Sequence, residues 1–272
     1  MATIAGTELL KIEALGPVEW LTLNRPEALN ALNPELIENL RDYFLNLTDR
    51  REVRVVVLRG AGRAFCAGLD LKTEAPAEDA ATGASVQRGL KTQRRIAEIV
   101  MAMRRCPQPI ISLIQGPACG GGFSLALASD IRIAGESARM NCAYIRIGLG
   151  GCDIGSSYFL PRLVGASVAA ELILTGKFIN AERALRLGLV SQVVPDDDLE
   201  RAAIEDIDYM LATSPLGLRL SKEALNINLD AGGIEAAIAL EDRNQILCAQ
   251  TEDFREGLRA FLTRQKPNWK DA

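Results

Sequence analysis

The sequence predicts an α/β fold: a β/α core over residues 1–195, followed by an all-helical region over 196–272. Three observations carry that prediction. Short β-branched apolar runs, at 53–58 and at Ile110–Ile114, alternate with segments of helical periodicity. Glycine-containing turns follow these runs directly, as they do where a strand passes into a loop and helix. Beyond residue 195 the strand signal ends and four helical patterns follow one another, with no apolar core of their own, which suggests packing against the body or neighbouring subunits.

Along the chain, residues 9–15 and Val18–Leu23 flank a Gly16-Pro17 turn and read as a hairpin. Pro34 opens a helix whose Leu36, Leu40, Tyr43, Phe44 and Leu47 share one face. The run 53–58 is β-branched on both faces, the pattern of a strand covered on both sides. Residues 73–86 are rich in Ala, Glu, Asp, Thr and Gly and read as a mobile loop. A helix with Ile96, Ile99, Val100 and Met103 on one stripe ends before Pro107, and the strand Ile110–Ile114 follows. Gly120-Gly121-Gly122 opens a helix ending near Ser129, and 131–134 is a short strand. The tail reads as helices over 196–213, 215–229, 234–249 and 252–264.

Composition removes several function classes. A formal charge of −4 argues against nucleic acid as a partner, which calls for a basic face. No apolar run is long enough to span a bilayer, and the N-terminus lacks a basic-then-apolar signal pattern, so a cytoplasmic enzyme with no membrane partner is the expectation. Six scattered cysteines without a C-x-x-C pair read as small buried hydrophobes in a reducing compartment. There is no histidine at all, which excludes Ser-His-Asp and Cys-His catalysis and every His-based metal site. Acid–base chemistry then falls to Asp, Glu, Tyr, Lys or Cys.

Two turns stand out as chemical. One is Phe65-Cys66-Ala67-Gly68-Leu69-Asp70-Leu71-Lys72; the other is Gln115-Gly116-Pro117-Ala118-Cys119-Gly120-Gly121-Gly122-Phe123-Ser124. Glycines at a helix start let the backbone approach a ligand and leave unpaired N–H groups at the positive end of the helix dipole. Either turn alone is equally a close-packing device, and neither has dinucleotide or P-loop spacing.

Together, in this order, the pair resembles the crotonase (enoyl-CoA hydratase/isomerase) superfamily. So do Asn24-Arg25-Pro26-Glu27-Ala28-Leu29-Asn30-Ala31-Leu32, Ser129-Asp130-Ile131-Arg132, Leu160-Pro161-Arg162-Leu163-Val164-Gly165, Leu174-Thr175-Gly176, Gly188-Leu189-Val190 and Glu252-Asp253-Phe254-Arg255-Glu256-Gly257. The resemblance runs from about residue 8 to the C-terminus. It implies a crotonase-like spiral of repeated ββα units with a helical C-terminal trimerisation region, in a homotrimer or dimer of trimers. It implies an acyl-CoA substrate and no separate cofactor or metal, coenzyme A being part of the thioester. The N–H groups of Leu69 and Gly121 match the pair that holds the thioester oxygen as an enolate forms. Removing one such donor typically costs about 3–4 kcal/mol. Ala67, Leu71 and Lys72 match positions at the CoA adenine and phosphates, Ala28 and Leu29 positions near the pantetheine, and Phe261 and Arg264 tail positions that reach CoA from a neighbouring subunit.

The chain departs from the family where hydratases carry two glutamates, for those positions hold Ser124 and Tyr144. Ser124 either holds a water, faces solvent or packs in the helix; Tyr144 either donates a hydrogen bond or fills the pocket. Asp153, in Gly150-Gly151-Cys152-Asp153-Ile154-Gly155, matches a functional aspartate of dienoyl-CoA isomerases in a loop one residue longer. It serves either as the acid/base or as N-cap of a helix starting at Gly155. Asp130 suits a structural, backbone-binding role. Hydration or isomerisation of a 2-enoyl-CoA leads the functional readings, ahead of another crotonase reaction such as thioester hydrolysis or decarboxylation, and of a non-catalytic acyl-CoA binder.

Overall fold

The computed structural model describes residues 2–4, 6–72 and 83–272. Strands β1 (Ala2–Ile4), β2 (Leu10–Leu15) and β3 (Val18–Leu23) form an antiparallel meander. After α1 (Pro34–Asn46) come β4 (Val55–Gly60), α2 (Gly83–Arg105), β5 (Ile110–Ile114), β6 (Pro117–Cys119) and α3 (Gly121–Ala128). Then follow β7 (Ile131–Gly135), β8 (Arg139–Asn141), α4 (Ser156–Val164), α5 (Ala166–Thr175), β9 (Ile179–Asn180), α6 (Ala181–Arg186) and β10 (Gln192–Val194). Four helices close the chain: α7 (Leu199–Leu211), α8 (Pro215–Asn228), α9 (Ile234–Ala249) and α10 (Glu252–Thr263).

A seven-stranded sheet has the order β1-β2-β3-β4-β5-β7-β10, parallel from β3 onward. A smaller sheet has the order β6-β8-β9. Isolated parallel bridges Leu32–Leu69 and Cys66–Ala118 continue this second line of pairing. Each turn of the chain thus sets one strand in the large sheet, then an extended segment in the second layer, then a helix. The runs β5-β6-α3 and β7-β8-α4 are two such ββα turns.

The central strands β3, β4 and β5 of the large sheet are buried on both faces, as the β-branched runs predict. Val56 and Leu58 of β4 point into one core with α1 and α2, while Val55 and Val57 point into a second core with Leu199, Ala203 and Ile207 of α7. Strand β5 repeats the alternation, with Ile110 and Ile114 on one side and Ile111 and Leu113 on the other. Full burial of each such side chain contributes about 1.5–3 kcal/mol. Helix α1 starts as its sequence suggests: the Asn33 side chain accepts the Leu36 N–H at 2.9 Å, and Pro34 occupies the first turn. Its Leu36, Leu40, Tyr43 and Phe44 meet Ile96, Ile99, Val100 and Met103 of α2 in the first core.

Several expectations shift. The strand expected over 53–58 begins at Val55, because the Val53 N–H is turned to Arg50 O at 3.2 Å. Of the loop expected over 73–86, residues 73–82 lie outside the described residues, and 83–86 are the first turn of α2. All six cysteines are free; Cys66, Cys106 and Cys142 are buried, but Cys119 and Cys248 are half-buried and Cys152 is exposed. Asp130 has the expected structural role, accepting the Ile110 N–H at 2.8 Å and pairing with the buried Lys222 of α8 at 2.9 Å. No helix among the described residues is long and apolar enough to cross a membrane.

Helix α7 covers the sheet, and Arg54 ties its end down by donating to the carbonyls of Met210, Leu211 and Thr213. The later helices keep large apolar side chains in the open. On α10 these are Phe254, Leu258, Phe261 and Leu262, at the spacing of one helical face.

Candidate active site

The two glycine-containing turns are laced together by main-chain bonds. Phe65 N–H donates to Gln115 O at 2.7 Å, Cys66 N–H to Pro117 O at 3.1 Å, and Cys119 N–H to Cys66 O at 2.9 Å. Two glycines make this approach possible. A Cβ on Gly122 would stand 2.2 Å from Cys66 O, and one on Gly68, whose φ is +94°, would stand 2.6 Å from Cys119 O. The same construction on Gly68 lies 3.5 Å from the nitrogen of Gly121, so Leu69 and Gly121 face one small space. Among the described residues neither Leu69 N–H nor Gly121 N–H has an acceptor, whereas the neighbouring Asp70 and Gly120 N–H groups are bonded to Leu32 O and Asn141 O. Gly121 is the first residue of α3, so the helix dipole adds positive potential there.

The segment containing Ala28 and Leu29 runs beside the first turn. Ala67 N–H donates to Leu29 O at 2.9 Å, and Leu32 N–H to Gly68 O at 2.8 Å. Asn30 pins this segment, its side chain donating to Ala61 O and Ala64 O while Leu29 and Asn30 take left-handed φ values of 52° and 56°. Leu71 and Lys72 are exposed at the outer end of the turn. Asp70, just before them, pairs with Arg25 at 2.9 Å, and that guanidinium holds its carboxyl below the usual range. Phe261 and Arg264 are exposed on and just beyond α10, Phe261 at 82%, and the chain's own fold does not cover them.

On the other side, the 3-10 turn Ala143–Ile147 carries Tyr144 against the glycines, its Cε1 3.3 Å from a Cβ built on Gly120. The Tyr144 hydroxyl and Ser124 Oγ share a hydrogen bond of 2.6 Å, and both residues are buried. Ser124 Oγ also lies 3.4 Å from the Asp153 carbonyl. Burial pushes the Tyr144 phenol well above its ordinary range, so the pair is neutral. Ser124 does not face solvent; it is spent on Tyr144.

Asp153 is half-buried in the loop before α4. Its Oδ1 accepts from Ile154 N–H at 2.8 Å and from the Gln93 side-chain amide of α2. It does not cap α4: Gly155 occupies the cap position without a side-chain bond, and the loop is closed instead by Ser156, through its N–H to Asp153 O at 2.9 Å and its Oγ to Asp153 N–H at 3.0 Å. Burial raises the Asp153 carboxyl above its ordinary value, against the two hydrogen bonds that favour the anion. Ile154 has φ +43°, rare for a β-branched residue and costing on the order of 1–3 kcal/mol. Its Cδ1 stands 3.7 Å from a Cβ built on Gly121. The strained residue is thus next to Asp153 in the chain and packs against Gly121.

Beyond Ile154 and Gly155 a cavity of about 1230 Å³ opens between α2, α4 and α8, bordered by Ala97, Val100, Met101, Tyr158 and Phe159. Ile154 lines it, whereas Leu69 and Gly121 do not. Sequence reasoning missed Gln93 and Ile154. Gln93 sits three residues before Ile96 on α2 but is exposed, so its position along the chain carries no signal of a partner. Nothing in the sequence marks the φ of Ile154.

Residues 14–272 match the enoyl-CoA hydratase/isomerase family. A protein of Mycobacterium leprae named probable enoyl-CoA hydratase is 38% identical over 263 residues, covering 96% of this chain and 89% of the relative. The 1,2-epoxyphenylacetyl-CoA isomerase of Escherichia coli K12 is 36% identical over 253 residues, covering 93% of this chain and 94% of its own. The crystal structure of an enoyl-CoA hydratase from Bacillus anthracis superposes with a TM-score of 0.90 at 33% identity, over 97% of this chain and 100% of that one.

Proposed function

The chain belongs to the enoyl-CoA hydratase/isomerase family, with the crotonase fold, and is an enzyme of hydratase/isomerase type; from that premise we propose that it moves a double bond in an acyl-CoA by proton transfer. Leu69 and Gly121 N–H hold the thioester oxygen, and Asp153 carries the proton. The observation that supports this reading is a half-buried carboxylate next in the chain to Ile154, whose side chain packs against Gly121, with no acceptor for Leu69 or Gly121 N–H among the described residues.

In a 3-enoyl-CoA the ionised Asp153 takes a proton from the α-carbon. The C–H electron pair moves into a dienolate whose charge rests on the thioester oxygen, where preorganised donors stabilise it most. The protonated Asp153 returns the proton to the γ-carbon, giving the conjugated 2-enoyl-CoA. One carboxylate suffices because it is restored at the end, and no water is consumed. A raised pKa suits the task, because the same group must accept and then release the proton near neutrality. Hydration needs further groups to hold and activate a water, and the two positions available for them are occupied by the neutral, mutually bonded Ser124 and Tyr144.

Ala28, Leu29, Ala67, Leu71 and Lys72 line the CoA path in this reading, with Phe261 and Arg264 supplied by a neighbouring subunit of a cytoplasmic homotrimer or dimer of trimers. The cavity beyond Ile154 gives the acyl chain room past its reacting carbons. No separate cofactor enters, because the thioester itself is the electron sink. The test is incubation with 3-hexenoyl-CoA and with 2-hexenoyl-CoA, following the conjugated thioester absorbance. Its rise with the first substrate, and at most a partial fall with the second to the same equilibrium mixture, is the expected outcome. Formation of 3-hydroxyhexanoyl-CoA from the second establishes hydration, free-thiol release establishes hydrolysis, and binding without product establishes a non-catalytic binder; each rejects the proposal.

A further inference from the structure

Asp153 is held by two donors from different parts of the fold, and both reach the same oxygen. Ile154 N–H comes from its own loop and donates to Oδ1 at 2.8 Å. The Gln93 amide comes from α2, separated by 60 residues in sequence. Among the described residues no donor reaches Oδ2.

We propose that Gln93 is a positioning residue for Asp153, fixing Oδ1 and leaving Oδ2 as the oxygen that takes and returns the proton. The inference rests on Asp153 being the proton carrier. The backbone donor alone leaves the carboxylate free to rock about its Cβ–Cγ bond. A second donor from a separate helix fixes the plane, and with it the direction of the free Oδ2 lone pairs. Geometry of this kind matters because a misplacement of about 1 Å at a reacting group costs on the order of a hundredfold in rate.

The electrostatic surroundings make Gln93 consequential. From the 3-10 turn, Tyr144 faces Asp153 and stays neutral; from α4, Ser156 bonds its backbone; from its own loop, Cys152 is next in the chain. Gln93 is the group that α2 supplies, and no lysine or arginine among the described residues pairs with the carboxylate. A hydrogen bond donated to the anion favours the anion. Without Gln93, burial acts unopposed by any side chain, the carboxyl binds its proton more tightly, and the acid limb of the rate profile moves to higher pH.

The experiment uses the full chain with Gln93→Met, which keeps length and removes the donor, and Gln93→Lys, which restores a donor and adds charge. Gln93 is exposed, so both variants are expected to fold as the parent does. For Gln93→Met, kcat on 3-hexenoyl-CoA should fall about tenfold with KM little changed, and the acid limb should rise by about one pH unit. Gln93→Lys should move the limb below that of the parent. The same midpoints are read without turnover from the Asp153 carboxyl resonance of ¹³C-aspartate-labelled protein, identified by its absence in Asp153→Asn. An unmoved limb and an unmoved resonance overturn the proposal, even if the rate falls, because a merely structural glutamine would lower the rate without moving either. If Asp153→Asn keeps the full rate, the proton-carrier reading fails instead. If Asp153→Asn is inactive and Gln93→Met is silent, only this inference fails.

Discussion

Replacing Gly122 by Ala tests whether the closeness of the two turns builds the site. A Cβ there would stand 2.2 Å from Cys66 O, 2.7 Å from Cys66 Cβ and 2.8 Å from Cys66 C. Carbon–carbon contacts are optimal at about 3.5–4.0 Å, so the Cys66 segment must retreat by roughly 1 Å. It cannot do so freely, because Cys66 N–H and Cys66 O are both bonded to the second turn. Retreat loosens those bonds and carries Gly68 and Leu69 away from Gly121. Overpacking costs about 1–3 kcal/mol, which for a domain of this size lowers Tm by about 3–10 °C. A donor displaced by roughly 1 Å costs on the order of a hundredfold in kcat. Gly121→Ala is the control for stability. Its Cβ would meet only Leu32 Cδ1 at 3.1 Å and Ile154 Cδ1 at 3.7 Å, the movable ends of two side chains, so Tm should stay within about 2 °C of the parent. Differential scanning calorimetry and initial rates with 3-hexenoyl-CoA are the assays. A Gly122→Ala protein with parental Tm and parental kcat would refute the view that contact between the turns sets the N–H pair.

Other outcomes follow from the same contacts. Burial raises the Asp153 pKa, so the folded state binds that proton more tightly than the unfolded chain does. The associated stability is fully present below the unfolded value near 3.8 and is lost as pH rises through the folded pKa. Asp153→Asn should therefore melt above the parent at pH 7, with the gap closing toward pH 4, and a gap that is constant with pH rejects the assignment. Lys222→Met should cost about 3 kcal/mol in urea unfolding, because Lys222 Nζ donates to Met103 O at 2.9 Å and Gln108 O at 2.7 Å and pairs with Asp130 at 2.9 Å, all in the interior. Leu258→Asp with Phe261→Asp should convert the proposed trimer to monomers in sedimentation velocity while preserving the far-ultraviolet circular dichroism of the parent; an unchanged sedimentation coefficient rejects α10 as an interface.

Most of the fold was legible where the pattern is long and local. The stripe of Leu36, Leu40, Tyr43 and Phe44 names the buried face of α1, and the two-sided run in β4 announces a sheet covered on both faces. Besides β1, the strands that escaped notice, β6, β8, β9 and β10, are two or three residues long. Their pairing is decided by partners distant in sequence, so no local period exists to reveal them. Helices α4 to α6 are six to ten residues long, and Gly165 and Gly176 separate them from one another or from the strand between, so each is too short to show a clear helical period.

In the site, the glycine turns were legible because close backbone approach demands glycine, and the absent glutamates were legible because they are side-chain identities. The total lack of histidine bounded the chemistry at once. By itself the sequence thus determined the residue types present: two turns that leave N–H groups unpaired, a neutral Ser124 and Tyr144, and one carboxyl in the right loop. Only the tertiary structure decided what those residues touch. It joined Ser124 to Tyr144 at 2.6 Å, freed Asp153 from capping α4, and brought Gln93 across from α2 to hold it. The physical reason is range. Propensity and backbone sterics act within a few residues and are written in order along the chain. Burial, which sets the Asp153 proton affinity, and a hydrogen bond spanning 60 residues come into being only when separate elements pack.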